Sequence, residues 1–389
     1  MNKKKTKVAI MSPIADTIGE ASVVPRLSIA LSKLGYDVEL IDCQGEWKNL
    51  QEKTSRVKIV DLGIKKAFPY IPTFRWLSSW LSYRVWSFFV SLGIFIRLPF
   101  YLKSNKPDIL IVRMLTGPTA LAHMMTGTDS KLIISMGGLP KTSPIRVVLW
   151  RKVYKQASAF IAPNKGVAEV ASSISKISTE RFEIIPNPVI DDSIMEKSLD
   201  DVVHPWYANS KVSTILSVGR LTRQKDFSTL ITAFNKIKKQ GNFRLLILGE
   251  GEERRKLETL IDKLDLKDHI QMPGFEKNPY KYMKGANMVI STSKWEGPGH
   301  VIIEAQAIGV PIISTDCPEG PRDTLLNGEA GTLVTVGDSD ALASAIMEIT
   351  ENTTQQKNMV QAGLRSSSRF TDESVSMKWK RVIDKITER

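Results

Sequence analysis

The sequence has 389 residues, 42% of them hydrophobic and 24% charged, which is enough for two ordinary domains that each bury a core. Its two cysteines, Cys43 and Cys317, lie far apart and match no metal-binding or redox spacing, so a disulfide framework is excluded and a reducing cytosol is favoured. Residues 1–200 carry +11 of the net charge of +13, so we expect an anionic partner in the N-terminal half: nucleic acid, an anionic membrane surface or a phosphate-bearing acceptor.

The N-terminal half begins with a βαβ pattern. Residues 7–11 form an apolar strand, residues 22–34 a helix that stops at Gly35, and residues 37–41 a second strand. Further strands are predicted at 57–61, 109–113, 131–135, 159–162 and 181–185. This pattern predicts a parallel sheet with the loop after the first strand at its carboxyl edge.

Residues 68–102 form an unusual stretch of aromatic side chains with arginines between them. Its aromatic residues include Trp76, Trp80, Trp86, Phe88, Phe89, Phe95 and Phe100, and its arginines are Arg75, Arg84 and Arg97. Residues 85–102 resemble a membrane span, but Arg97 and Pro99 lie inside a window that needs roughly 20 mostly apolar residues, so we reject spanning. Two interpretations stay open: a core helix with exposed arginines, or a basic-aromatic surface in the interface of an anionic leaflet.

The β/α pattern restarts in the C-terminal half. Residues 193–210 are polar and contain Pro205, which predicts a linker. The predicted strands that follow are 214–218, 245–248, 270–272, 288–291, 311–314 and 331–334. We therefore expect an α/β fold of two doubly wound Rossmann-like domains, residues 1–192 and 211–370, facing each other across a cleft. Residues 371–389 hold a final helix whose apolar stripe is expected to cross back onto the N-terminal domain.

The strongest local pattern follows the strand at 288–291, where a loop opens a helix. The loop and the first helical turn contain Gly297, Pro298, Gly299, His300 and Val301. Backbone N–H groups at such a helix start, together with the positive end of the helix dipole, form an anion site. Glu296 stands at the entry of the loop, where it can accept hydrogen bonds from hydroxyls. Glu304 lies on the helix, and its carboxylate suits the two hydroxyls of a ribose.

This pattern resembles the signature of a known family. Two glutamates separated by seven residues, with Gly-Pro after the first and Ala-x-Ala-x-Gly-x-Pro after the second, resemble the retaining glycosyltransferases of the GT-B fold, family GT4. The resemblance covers the layout of the chain, and its specific motifs lie between residues 216 and 323. It implies that Glu296 positions the hydroxyls of a donor sugar and that Glu304 holds the ribose of the nucleotide.

A second motif of the family follows the strand at 214–218. It reads Gly219-Arg220-Leu-x-x-x-Lys225. Two fixed cations at the carboxyl end of a strand suit a diphosphate, whose negative charge grows as the sugar leaves. The resemblance therefore assigns Arg220 and Lys225 to catalysis beside Glu296, with no metal required. Asp338 and Asp340 could suggest a metal motif, but they precede a predicted helix and are interpreted as its N-cap.

Other glycine segments match the family in part. In the family, the turn at Gly249 and Gly251 neighbours the nucleotide, and the segment that ends at Phe275 contacts the base. Only Gly19 remains of the pair of glycines expected after the first strand. No histidine follows the strand that ends at residue 135, where the family often has one, so we name no catalytic histidine.

Residues 316–323, Asp-Cys-Pro-Glu-Gly-Pro-Arg-Asp, resemble a segment of family members that build bacterial surface polysaccharides. That segment commonly reads Cys-Pro-x-Gly-Pro-x-Glu, and here Asp323 stands at the final acidic position. The resemblance implies that the segment shapes the donor pocket and favours a UDP-sugar. Cys317 itself is interpreted as a buried thiol without chemistry.

These patterns predict a retaining glycosyltransferase. We expect it to move a hexose or N-acetylhexosamine from a nucleoside diphosphate sugar to a lipid-linked or cell-surface glycan, without a cofactor, at the inner face of the cytoplasmic membrane. Nucleic acid is not expected as a partner, because the basic residues are scattered and match no recognised motif. The alternatives are a non-catalytic glycosyltransferase-like partner subunit and a GT-B phosphorylase or epimerase.

Overall fold

The computed structural model describes residues 5–13, 18–45, 47, 50, 55–64, 79–138, 143–209, 211–318 and 320–388, with no side-chain account at 18–21, 79–84 and 145. Residues 15–17 of the first loop, and Arg75 and Trp76 of the aromatic stretch, lie outside the described residues. The chain divides into two compact units. The first is Met1–Pro188 together with Asp372–Arg389, and the second is Val189–Thr371.

The first unit is built on a parallel sheet whose described strands are ordered β3-β2-β1-β4-β5-β6-β7. The strands are β1 (Lys7–Met11), β2 (Asp37–Asp42), β3 (Lys58–Asp61), β4 (Ile109–Val112), β5 (Lys131–Ser135), β6 (Ala159–Ala162) and β7 (Phe182–Ile184). Val8 of the central strand β1 pairs with Val38 on one side and with Ile109 on the other. The apolar residues of β1 and β4 are buried on both faces, as expected for central strands of a parallel sheet that helices cover.

Helices cover the two faces of this sheet. They are α1 (Ile18–Lys33), α2 (Ser79–Asn105), α3 (Thr116–Thr126), α4 (Pro144–Val153), α5 (Lys165–Ser175) and, from the C-terminus, α15 (Asp372–Thr387). One buried cluster joins the sheet to α2, α3, α4 and α5, and a second joins it to α1 and α15. The long aromatic segment thus supplies a core helix along one of its faces.

The C-terminal helix α15 belongs to the first unit. Its apolar stripe, which includes Val375, Trp379 and Ile383, is buried in the same cluster as Leu27 of α1. The hydroxyl of Tyr36 also donates a 2.9 Å hydrogen bond to Asp384. The return of this helix to the N-terminal domain, predicted from its stripe, is confirmed.

The second unit has a parallel sheet whose described strands are ordered β10-β9-β8-β11-β12-β13. The strands are β8 (Ser213–Val218), β9 (Phe243–Leu248), β10 (Ile270–Gly274), β11 (Met288–Ser291), β12 (Ile312–Thr315) and β13 (Thr332–Val334). The helices are α6 (Asp192–Ser198), α7 (Pro205–Ala208), α8 (Phe227–Ile237), α9 (Arg254–Lys263), α10 (Pro279–Gly285), α11 (His300–Ile308), α12 (Pro321–Thr324), α13 (Ser339–Glu351) and α14 (Thr353–Ser367). The prediction of two doubly wound α/β domains is confirmed.

Residues 193–210, for which the polar composition predicts a linker, have a different place in the structure. They contain part of α6 and all of α7, and both helices lie in the second unit. Ile194 is fully buried in a cluster with Met283 and Ile302. The amide of Asn278 also donates to the Lys197 carbonyl at 2.9 Å. The buried Ile194 therefore anchors a helix whose mostly polar composition does not indicate packing.

Candidate functional site

The strand order of the second sheet creates a switch point between β8 and β11. The chain runs from β8 outward to β9 and β10, and then returns to place β11 on the other side of β8. In open parallel sheets, the loops that follow the two strands at such a point diverge and leave room for a ligand. Lys225 lies in the loop after β8, and Glu296 lies in the loop after β11. The fold therefore brings the two predicted motifs to one sheet edge.

Lys225 and Glu296 contact each other directly. The ammonium group of Lys225 forms an ion pair with Oε1 of Glu296, and the Ser293 hydroxyl donates a 2.7 Å hydrogen bond to the same oxygen. The two side chains are 22% and 11% exposed, so the pair is partly shielded from water and still accessible to a ligand. Two residues predicted to hold different parts of a donor are thus coupled. Sequence reasoning missed Ser293, since a serine three residues before a glutamate is a common feature of loops.

Hydrogen bonds to the backbone hold the two loops together. The Thr292 hydroxyl donates to the Lys225 carbonyl at 2.9 Å, and the N–H of Lys294 donates to the Gln224 carbonyl at 2.8 Å. The amide of Gln224 donates in turn to the Trp295 carbonyl at 2.8 Å. These bonds fix both ends of the lysine–glutamate pair against the sheet edge.

The glycine turn after β9 packs against the loop after β8. A Cβ atom at Gly249 would overlap the carbonyl oxygen of Gly219, and one at Gly251 would overlap that of Leu221. Gly249 also has a φ of +149°, a backbone conformation that residues other than glycine rarely adopt. The N–H of Leu221 donates to the Glu250 carbonyl at 2.9 Å. These predicted donor-site glycines therefore have a packing role that does not depend on a ligand.

Helix α11 begins at a glycine. Gly299 is its N-cap, with a φ of +71°, and the Gly299 carbonyl accepts a 2.9 Å hydrogen bond from the N–H of Ile302. The other predicted donor residues next to it are Gly297, Pro298, His300 and Val301. Glu304 lies farther along the same helix, and the hydroxyl of Tyr280 on α10 donates to its Oε1 at 3.3 Å. A helix start followed by an oriented carboxylate suits a diphosphate joined to a ribose.

The segment after β12 supports the Gly-Pro-Gly loop. A Cβ atom at Gly320 would overlap the carbonyl oxygen of Gly297, and the Thr324 hydroxyl donates to the Pro298 carbonyl at 2.9 Å. Cys317 of the same segment is buried, and burial, reinforced by the negative charge of Glu296, raises the pKa of its thiol to about 11. Cys317 is therefore a protonated, buried thiol at neutral pH, in agreement with its interpretation from the sequence.

Two of the predicted donor residues have exposed side chains. The side chain of Arg220 lies at the surface after β8, and Phe275, which follows β10, is 75% exposed. Near Phe275, Arg254 donates two 2.7 Å hydrogen bonds to Glu250, and this contact holds the pKa of the Glu250 carboxyl below its ordinary value. Arg254 also donates to the Met272 carbonyl at 3.2 Å, so it ties the turn after β9 to β10.

In the first unit, Gly19 lies in the first turn of α1, within the residues for which the structure gives the backbone alone. Arg113 follows β4 and is buried, although sequence reasoning did not select it. Its guanidinium donates to the Ser135 hydroxyl at 3.0 Å and to Oδ1 of Asn187 at 2.9 Å. An arginine at the end of an apolar strand resembles an ordinary surface cation, so nothing in its local sequence indicated this burial.

Asp338 caps helix α13, as predicted. Its Oδ1 accepts hydrogen bonds from the N–H groups of Asp340 at 3.0 Å and Ala341 at 2.9 Å. Among the residues that the structure describes, no group of three or more His, Cys, Asp or Glu side chains is arranged to hold a metal ion.

Two family models match the chain, one in each half. Residues 19–193 match the model described as Glycosyltransferase Family 4, and residues 204–366 match the model described as Glycosyl transferases group 1. The second match contains all the residues of the loops after β8, β9, β10 and β11.

Curated relatives share part of their length with this chain. An uncharacterized glycosyltransferase of Methanocaldococcus jannaschii is 34% identical over 185 residues, which cover 47% of this chain and 46% of the relative. A Campylobacter jejuni protein is named N-acetylgalactosamine-N,N'-diacetylbacillosaminyl-diphospho-undecaprenol 4-alpha-N-acetylgalactosaminyltransferase. It is 30% identical over 241 residues, which cover 60% of this chain and 64% of the relative. The chain thus spans between about half and two thirds of the length of these relatives.

A solved structure shares the fold over nearly the whole chain. It is the Anabaena protein HepE in complex with UDP, with a TM-score of 0.74 at 16% sequence identity, and the match covers 98% of this chain and 100% of that one. At this level of identity the likeness shows the fold alone.

Proposed function

This chain belongs to the GT4-type glycosyltransferases of the GT-B fold, and on that premise we propose that it transfers a hexose or N-acetylhexosamine from a nucleoside diphosphate sugar to a glycan acceptor. The observation that carries the proposal is the meeting of Lys225, Glu296 and the start of α11 at the switch point of the second sheet. A UDP-sugar is the favoured donor. The Cys-Pro-x-Gly-Pro resemblance supports this choice, and so does the UDP named for the Anabaena protein.

The donor would lie along the loops after β8 and β11. Glu304, oriented by Tyr280, would accept hydrogen bonds from the two ribose hydroxyls. The diphosphate would lie between the start of α11 and the cations Arg220 and Lys225. Glu296 would accept hydrogen bonds from hydroxyls of the sugar through the oxygen that Lys225 leaves free. The same glutamate would thus couple the position of the sugar to the cation at the leaving group.

The transfer would proceed with retention at the anomeric carbon. The acceptor oxygen would form its bond on the same face of the sugar from which the diphosphate departs, while the bond between the anomeric carbon and the phosphate oxygen breaks. The departing phosphate oxygen would take the proton of the acceptor hydroxyl, so no separate base is needed. Arg220 and Lys225 would stabilise the charge that develops on the diphosphate, and we propose that no metal ion is required.

The acceptor is proposed to be lipid-linked or part of a cell-surface glycan. The Campylobacter relative is named for a diphospho-undecaprenol acceptor, and the first 200 residues carry most of the positive charge of the chain. An anionic phosphate-bearing acceptor at a membrane would be attracted to such a surface. We place the protein in the cytoplasm, at the inner face of the cytoplasmic membrane.

A panel of UDP-, GDP- and ADP-sugars tests the proposal. We expect a UDP-sugar to raise the melting temperature in the presence of EDTA, and Glu304→Ala to abolish that rise. A transfer assay with an undecaprenyl-diphosphate glycan should then release UDP without added inorganic phosphate. A strict requirement for phosphate would instead indicate a phosphorylase. If no sugar nucleotide stabilises the wild type, the proposed donor site is wrong.

A further inference from the structure

Helix α2 has two apolar faces, and among the residues that the structure describes one face is buried and the other is exposed. Within the described residues, the segment Val85–Asn105 of this helix is long and apolar enough to cross a membrane by length and composition. In the most apolar part of this segment, 33% of the residues are buried in the protein. The buried face contributes Val90, Ile94 and Leu98. These residues are four apart in sequence and form one row that packs against the sheet of the first unit.

A second row lies on the opposite side of the helix and is exposed. Its members are Phe88, Leu92, Ile96 and Phe100, which are 64%, 37%, 47% and 69% exposed. This row is offset by two residues from the buried one, which corresponds to about 200° around an α-helix. The four side chains therefore form a continuous apolar ridge about 18 Å long, counted at 1.5 Å per residue, which turns around the helix by about 40° per step. A contiguous apolar surface of this kind marks an interaction site more often than isolated exposed residues do.

The orientation of the ridge is fixed by contacts on the buried side. The hydroxyl of Tyr101 donates a 2.5 Å hydrogen bond to the buried carboxylate of Glu39 on β2. Lys7 and Lys58 form ion pairs with the same carboxylate, at 3.0 and 2.7 Å. Together, these bonds hold the pKa of Glu39 below its ordinary value, against the opposing effect of burial. Because Tyr101 is anchored in this way, α2 cannot rotate its exposed row into the core.

The charges of α2 and of the helices that follow it are predominantly positive. Helix α2 contains no acidic residue, and its exposed side chains include Arg97 and Lys103. Residues 79–157, which include α2, α3 and α4, contain eleven Lys and Arg but only two acidic residues, Asp108 and Asp129. An apolar ridge with cations beside it is complementary to the headgroup region of an anionic leaflet.

The geometry favours a membrane surface over two other occupants. A spanning helix would have lipid on every side, whereas Ile94 and Leu98 are fully buried against protein. A second copy of the chain would bring two basic surfaces together. A ridge one side chain wide also supplies far less area than the roughly 800 Å² per partner of a stable interface.

We propose that α2 lies in the plane of an anionic leaflet, with Phe88, Leu92, Ile96 and Phe100 inserted at the boundary between headgroups and acyl chains. This inference deepens the proposed function by naming the surface that meets the membrane. It does not depend on sugar transfer, because membrane binding can be measured without a donor or an acceptor. Failure of one proposal is therefore distinguishable from failure of the other.

Flotation of the full chain with lipid vesicles tests this inference. The vesicles contain equal parts of phosphatidylglycerol and phosphatidylcholine, or phosphatidylcholine alone, and no glycolipid. We expect the wild type to partition onto the anionic vesicles. Partition should fall about tenfold or more in Phe88→Ser/Phe100→Ser, because this variant lacks two aromatic side chains that move from water into the leaflet on binding. Arg97→Gln/Lys103→Gln should lower partition by a similar factor and weaken its dependence on salt.

A matched control uses two apolar residues of the second unit, Leu199 and Val203, which are 74% and 91% exposed. Leu199→Ser/Val203→Ser should partition like the wild type. Melting temperature and circular dichroism establish that each variant folds, as the high exposure of the substituted residues leads us to expect. Equal flotation of the Phe88/Phe100 variant and the wild type would overturn the proposal. Resistance of the bound protein to alkaline extraction would also overturn it, because such resistance indicates a membrane-spanning helix. A dimer of the wild type in solution that Phe88→Ser/Phe100→Ser abolishes would overturn it as well.

Discussion

The ammonium group of Lys225 is ion-paired with the carboxylate of Glu296, and the pair joins the loop after β8 to the loop after β11. The Ser293 hydroxyl donates to the same glutamate oxygen, so that oxygen accepts from two donors at once. A diphosphate that binds Lys225 therefore competes with Glu296 for the same ammonium group. Occupation of the phosphate position and orientation of the sugar-binding carboxylate become linked through one ion pair.

The first prediction separates the two halves of this pair. In Glu296→Gln the amide is nearly isosteric but neutral, so Lys225 loses its ionic partner and can interact more fully with a diphosphate. We expect the rate of sugar transfer to fall by about 100-fold or more, as for loss of one oriented polar group in an active site. UDP affinity, measured by calorimetry, should stay equal or increase. Parallel loss of transfer and of UDP affinity would contradict separate roles for the two residues.

The second prediction concerns the orientation of Glu304 by Tyr280. Tyr280→Phe removes the hydroxyl that donates to Glu304 at 3.3 Å and leaves the ring in place. One hydrogen bond of this kind contributes about 1 kcal/mol, so we expect KM for the sugar nucleotide to rise roughly fivefold with kcat little changed. The matched control is Tyr282→Phe on the same helix, which should leave KM unchanged. A fall in kcat without a change in KM would contradict a role in ribose binding.

The strands could be predicted from the sequence better than the contacts between the loops that follow them. The ranges of β1, β5, β6 and β11 were predicted as the structure has them, because each is a short apolar run between polar or glycine-rich loops. The pair of Lys225 and Glu296 could not be predicted, because it depends on β11 lying beside β8. That neighbourhood follows from the strand order, which no local pattern encodes.

Packing against backbone also escaped prediction. Gly249 and Gly251 matched the family pattern as residues near a nucleotide, yet the structure shows a steric reason for each of them. The burial of Arg113 likewise depends on Asn187, which is distant in sequence. The roles of the site residues toward a donor remain predictions, and the substitutions described here address them.

The third prediction concerns the contact between Gly320 and Gly297. A methyl group at Gly320 would overlap the Gly297 carbonyl oxygen, so Gly320→Ala must displace the Gly-Pro-Gly loop. We expect a loss of about 2–3 kcal/mol in unfolding free energy, typical of overpacking against atoms that cannot move freely, together with weaker binding of the sugar nucleotide. A Cβ at Gly297 itself would meet nothing within 4 Å. Gly297→Ala should therefore cost less than about 1 kcal/mol, and equal destabilisation by the two variants in urea unfolding would refute this account.

The fourth prediction is a dependence of stability on pH that originates at Cys317. Burial raises the pKa of this thiol from 9.0 to about 11, so above pH 9 the unfolded chain releases a proton that the folded chain retains. The stabilising contribution of the protonated thiol is complete below pH 9 and is lost as the pH rises from 9 to 11. Two pKa units correspond to about 2–3 kcal/mol.

Urea unfolding of the wild type and of Cys317→Ala at pH 8 and pH 11 measures this contribution. Groups that both proteins share cancel in the difference between them, so the advantage of the wild type over the variant should shrink by about 2 kcal/mol as the pH rises. The same comparison can be made with Glu296→Gln present in both proteins. The advantage of the thiol-containing protein over its Cys317→Ala counterpart should then shrink less between pH 8 and pH 11, because removal of the neighbouring negative charge lowers the pKa of the folded thiol toward its ordinary value. An advantage that stays constant between the two pH values would show that the Cys317 thiol titrates alike in the folded and unfolded chains.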